Sequence, residues 1–113
     1  MRKIESQMCA AIKSNKNWQS GNTSVHFDDT SNTVVVRLHG NKIAELTDGT
    51  MLLFDGGWQS NTTKSRLNAL CNEFCEYVSE GVFQKDFAWY VRKFDVTLNK
   101  FITDTFVSGY TFA

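Results

Sequence analysis

The sequence has no proline among its 113 residues, two histidines, three cysteines and no surplus of charge of either sign. The missing proline carries no functional reading. The charge balance does: twelve basic and twelve acidic residues cancel. A protein that holds bulk nucleic acid by its phosphates wants a strongly basic surface, so that partner is not expected. A wholesale acidic mimic of DNA is disfavoured on the same count. A small anionic ligand needs only a few local cations and passes this test.

No hydrophobic run approaches the length of a membrane span, and the N-terminus lacks the apolar core of a signal peptide. No membrane partner is therefore expected, and the cytoplasm is the expected compartment. Cys9, Cys71 and Cys75 are odd in number and form no paired framework, which suits reducing surroundings. Cys71 and Cys75 stand one helical turn apart, but no further Cys or His lies at zinc spacing. They read as buried thiols, and neither a metal nor a cofactor is expected. Catalytic signatures are missing as well: there is no Gly-x-Ser-x-Gly elbow, no Walker loop and no His-Glu-x-x-His helix. Nothing in the spacing pairs Cys9 or a serine with His26 or His39. The chain is expected not to be an enzyme.

What is present reads as one α+β domain over residues 1–113, since 42% of the residues are apolar and no linker or low-complexity stretch divides them. Residues from about Arg2 to Ser14 carry Ile4, Met8, Ala11 and Ile12 on one face of a short helix. Asn15 to Asn22 reads as a polar linker interrupted by Trp18. Ser24–Phe27 and the β-branched run Thr33–Leu38 then form a hairpin around the polar cluster Asp28–Asn32. Turns at Gly40-Asn41 and Asp48-Gly49 bracket strands at Lys42–Leu46 and Thr50–Phe54. The expectation is a four-stranded antiparallel meander with a longer central helix packed on it. Beyond Gly81, strand signals at Val82–Lys85, Phe87–Arg92, Asp95–Leu98 and Phe101–Val107 extend the sheet or build a second one.

The chain is organised around Gly57-Trp58-Gln59-Ser60-Asn61-Thr62-Thr63-Lys64-Ser65-Arg66, a polar turn opening the central helix. Leu67, Leu70, Cys71, Phe74, Tyr77 and Val78 recur at helical spacing, and Gly81 reads as the stop. Thr62 or Thr63 is the expected cap. Lys64 and Arg66 oppose the helix dipole, while Glu73, Glu76 and Glu80 fall toward its negative end. A local rule broken without local compensation marks a functional site. Backbone N–H groups, hydroxyls of Thr62 and Thr63, and the cations Lys64 and Arg66 together suit a phosphate. Further along, Gln84-Lys85-Asp86-Phe87-Ala88-Trp89-Tyr90 offers rings beside a cation: Trp89 or Tyr90 to stack a base and Lys85 to meet a phosphate. His39 and Asn41, at a strand end, are placed to read polar edges. The apolar crowding of Phe101, Ile102, Phe106, Val107, Tyr110 and Phe112 suggests that some of these side chains are buried between subunits, in a dimer or larger assembly.

Three stretches carry a resemblance: Asn22-Thr23-x-Val25, Leu38-His39-Gly40-Asn41-x-Ile43-Ala44, and Gly57-Trp58-x-Ser60-x-Thr62-Thr63-x-Ser65-Arg66-Leu67-Asn68-Ala69-Leu70. With Gln84-Lys85-Asp86-Phe87-x-Trp89-Tyr90 they resemble small tailed-phage proteins over most of the chain. The pattern is also similar to the first class of Thoeris anti-defence proteins. That resemblance implies a symmetric oligomer in the infected bacterial cytoplasm that sequesters a cyclic ADP-ribose isomer or cyclic oligonucleotide without degrading it. The rival expectation is a protein–protein inhibitor of a host enzyme that covers its target with an aromatic-rich face.

Overall fold

The computed structural model describes residues 1–77 and 79–112. Val78, expected on the apolar stripe of the central helix, lies outside the described residues. In chain order the elements are α1 (Lys3–Lys13), β1 (Trp18–Ser20), β2 (Thr23–Asp28), β3 (Thr33–Leu38), β4 (Asn41–Thr47), β5 (Thr50–Leu53), α2 (Asn61–Phe74), β6 (Gly81–Lys85), β7 (Ala88–Asp95), β8 (Lys100–Thr105) and β9 (Tyr110–Phe112). The fold is α+β, with the expected antiparallel meander, short N-terminal helix and longer central helix. Six strands form one sheet in the order β1-β2-β3-β4-β5-β9, and β6-β7-β8 form a second. Every pairing is antiparallel.

Five strands, not four, precede the central helix. Trp18–Ser20, read as linker, pairs with Thr23–Val25 around a turn at Gly21-Asn22. The β2–β3 hairpin pairs Asp28 with Thr33, and the Asp28 carboxylate accepts the backbone N–H groups of Thr30 and Ser31, closing the polar loop as an Asx turn. Strict alternation in β3 sends Val34, Val36 and Leu38 inward. A bulge opposite Val36 and Arg37 then gives β4 one extra residue, so Ile43 and Ala44 are both buried. The two helices close the core over this face through Met8, Cys9, Ile12, Leu67, Leu70 and Cys71.

The central helix ends at Phe74, well before Gly81. Cys75 already has extended geometry, and the Tyr77 N–H goes to a Glu80 carboxylate oxygen at 3.2 Å instead of to a helical carbonyl. Gly81 instead opens β6 beside the Asn68 side chain, where a Cβ would come within 2.5 Å of Asn68 Oδ1. Asp95–Leu98 is no strand. Asp95 ends β7, and its carboxylate accepts the Leu98 N–H at 3.0 Å to turn the chain. Of the C-terminal rings, Phe106 and Phe112 are buried in the chain's own core, while Val107 is exposed.

Candidate ligand-binding site

The helix expected to bind an anion begins at Asn61, and its cap is Ser60, not Thr62 or Thr63. Ser60 Oγ accepts the Thr63 N–H at 3.0 Å, and the two hydroxyls lie 2.9 Å apart. Thr63 is buried by this arrangement. Lys64 is half-buried and reaches Gln84 on β6 at 3.4 Å. Arg66 falls in the second turn, where the dipole has largely faded.

Arg66 points inward. Its side chain is 4% exposed and forms an ion pair with Glu5 of α1 at 2.8 Å. Its Nε donates to Thr23 Oγ1 at 3.1 Å and its Nη2 to Asn22 Oδ1 at 3.4 Å. Ser65 donates to the same Glu5 oxygen at 2.6 Å, and the Arg2 backbone N–H donates to the other at 3.2 Å. Burial pushes the Glu5 pKa up, but these hydrogen bonds and the guanidinium charge outweigh it and hold the carboxyl below its ordinary value. The apparent conflict between a cation and a helix N-terminus is thus resolved by a carboxylate on another helix. This cluster ties α1, α2 and β2 together, and its donors are directed at protein acceptors.

Trp89 is also internal: it is 4% exposed and packs edge-on against Phe106 with ring centroids 5.6 Å apart. Tyr90 stacks on Phe83 at 5.7 Å on the opposite face of β7. Lys85 is exposed at the end of β6. Phe87, expected within a strand, occupies a hairpin turn and is 97% exposed.

His39, Asn41 and Thr63 are brought together. They line a pocket of about 230 Å³ with Asp55, Trp58 and Ser60, where the β3–β4 turn faces the loop into α2. His39 and Gly40 both have positive φ, as a two-residue hairpin turn requires. Gly56 passes so close that a Cβ would stand 3.3 Å from Asn41 and from Ile43, so glycine lets the loop close over β4. The Asp55 carboxylate accepts the Gly57 N–H at 2.8 Å and the Gln59 amide at 3.4 Å, which fixes the loop and presents Trp58 outward, 75% exposed. Trp58 lies within the motif but outside the residues that the sequence pattern places on the ligand; its signal is an indole flanked by glycine and amides in a polar turn.

A larger cleft of about 770 Å³ opens where both helices end, between Phe27, Leu46, Phe74, Tyr77 and Phe94. The charged residues that line it are Asp48, Glu76, Lys93 and the buried Glu80, a balance of sign that opposes phosphate. None of the residues assigned to ligand from the sequence lines it.

A model of the Kyanoviridae Gp96 protein matches residues 1–113. The chain belongs to that tailed-phage family. No curated protein and no solved structure matches this Gp96-family chain. Among its described residues, no helix is long and apolar enough to cross a membrane, and no group of three His, Cys, Asp or Glu side chains is arranged to hold a metal ion.

Proposed function

We propose that this phage protein is a non-catalytic binder that sequesters a nucleotide-derived immune messenger, a cyclic ADP-ribose isomer or cyclic oligonucleotide, in the host cytoplasm. The observation that carries the reading is the pocket formed by His39, Asn41 and Thr63 with the exposed Trp58 indole at its mouth. Apolar walls with a few convergent polar groups are the usual make-up of a small-molecule site. The pocket has room for one nucleobase or ribose, so the rest of a larger ligand lies across Trp58 toward the start of α2. There the helix N–H groups, Thr62 and Lys64 favour negative charge, and Lys85 stands at the end of β6, the strand that Lys64 contacts. Base stacking on an exposed ring contributes about 1–3 kcal/mol. Trp58 takes the stacking role that the sequence pattern suggests for Trp89 or Tyr90, and Lys64 carries the phosphate role without Arg66.

Incubation with a cyclic ADP-ribose isomer or a cyclic dinucleotide, followed by denaturation and mass spectrometry of the released molecule, tests this. Intact ligand at no more than one equivalent per chain is the expected result, with binding lost in Trp58→Ala. Turnover beyond one equivalent overturns the sponge in favour of an enzyme. A second reading, inhibition of a host protein, is favoured by Phe87, a ring almost wholly in solvent on a hairpin tip. Absence of nucleotide binding, with a host protein retained by the wild type and lost with Phe87→Ala, selects that reading.

A further inference from the structure

We propose that the outer edge of β8 is a self-association surface, on which two copies of the chain join their three-stranded sheets into one six-stranded sheet about a two-fold axis at Ile102. Of the two edges of this sheet, β6 is covered by α2: the Asn68 side chain accepts the Val82 N–H and donates to the Val82 carbonyl, both at 2.8 Å. Among the described residues the other edge, β8, is paired only on its inner side, with β7.

The phase of the ladder fixes which groups that edge offers. Phe106 donates its N–H to the Trp89 carbonyl at 3.1 Å, one step beyond the Tyr90–Thr105 pair. Antiparallel residues alternate in direction. Lys100, Ile102 and Asp104 therefore turn their backbone groups to β7, and Phe101, Thr103 and Thr105 turn theirs outward. Thr105 already donates its N–H to the Asp104 carboxylate at 3.0 Å. Phe101 and Thr103 remain as the outward pair.

A second copy added antiparallel must set outward residues opposite outward residues. With the axis at Ile102, Phe101 stands opposite Thr103 of the second copy, and the two such pairs form four hydrogen bonds. Lys100 then stands opposite Asp104 of the second copy, twice, at the closer non-hydrogen-bonded spacing, and Ile102 meets its own equivalent. Moving the axis to Thr103 would set Asp104 against Ile102. Moving it to Phe101 would set Lys100 against Ile102. A lone charge blunts an edge strand; a lysine and an aspartate placed symmetrically about an isoleucine match one another only across this axis. The surface is independent of the ligand pocket, so either proposal stands if the other fails.

Sedimentation of the full chain tests this, with circular dichroism as the check on folding. The expected mass is twice 12.9 kDa. Lys100→Glu and Asp104→Lys each set like charges opposite one another in a homodimer and should each weaken self-association by at least about tenfold. Mixed together, they present opposite charges at both positions and should recover a dimer containing one chain of each. Thr103→Pro removes an outward N–H without touching the bonds to β7, and should give a folded monomer. A wild-type monomer at all concentrations overturns the proposal. So does a dimer indifferent to the charge variants, or the failure of the two charge variants to associate when mixed.

Discussion

Arg66 shows what a residue can and cannot reveal by its place in the sequence. Its charge stood out against the helix start, and the compensating Glu5 sits 61 residues away on another helix, beyond any local pattern. Removing one partner of a buried ion pair leaves the other unpaired and costs roughly 3–5 kcal/mol. Arg66→Ala is therefore expected to lower the melting temperature by more than about 10 °C, whereas the dipole argument alone predicts stability unchanged or slightly higher and a weaker anion site. A melt of the variant against wild type measures it. The pH dependence has a definite sign. Glu5 has a folded pKa below its ordinary value of 4.5, so its contribution is present above that value and is lost as pH falls through the folded pKa. Denaturant titrations from neutral pH down past 4.5 should show stability falling with acid in wild type. That component should be absent in Glu5→Gln, which starts less stable because Arg66 keeps its charge.

At the scale of elements, the strands that alternate cleanly were legible. β3 and β5 follow their patterns and the Asp48-Gly49 turn falls as expected, whereas the turn expected at Gly40-Asn41 lies one residue earlier, at His39-Gly40, and Asn41 already opens β4. The misses have local physical causes. β1 is three residues long and is held by its partner strand more than by its own propensity. Asp95–Leu98 has strand-like valine and leucine, yet the aspartate side chain captures the Leu98 N–H before a ladder can form. The β6–β7 turn was the least legible, because Asp86 and Phe87 both take positive φ where asparagine and glycine are the usual choice. A bulky residue there is strained by about 1–2 kcal/mol, and Phe87 recovers none of it by burial. Phe87→Gly should relieve that strain and raise stability by roughly 1 kcal/mol after the added chain entropy of glycine. Chemical denaturation decides it; a destabilised variant would mean that the ring packs usefully in the free protein. The Ser60 cap makes a contrasting case. Ser60→Ala should cost about 1 kcal/mol because the Thr63 N–H loses its acceptor.

At the scale of the whole molecule, the split into two sheets was left open by the sequence because it depends on where β9 returns. Tyr110–Phe112 rejoins the first sheet beside β5, so β6, β7 and β8 form an excursion between α2 and β9. Val82 and Val91 carry that excursion into the common core, and Tyr110 donates to Asp104 at 3.0 Å. Trp89 and Phe106 supply apolar contact, Glu80 bridges the Tyr77 and Phe94 N–H groups, and Asn68 holds β6 by both backbone groups of Val82. Asn68→Ala would leave a donor and an acceptor of a covered strand without partners, at about 1–3 kcal/mol for each buried group. Gly81→Ala reaches the same contact from the other side, since its methyl would meet Asn68 Oδ1 at 2.5 Å, while the two hydrogen bonds to Val82 oppose any rotation of the amide. Sub-global opening follows seams weakened in this way. Amide hydrogen exchange should therefore show protection falling in β6, β7 and β8 of either variant, while β2 to β5 keep theirs. If protection fell equally in both sheets, the excursion would have to unfold together with the six-stranded sheet, and Asn68 would be one contact in a single cooperative unit instead of the clasp between two.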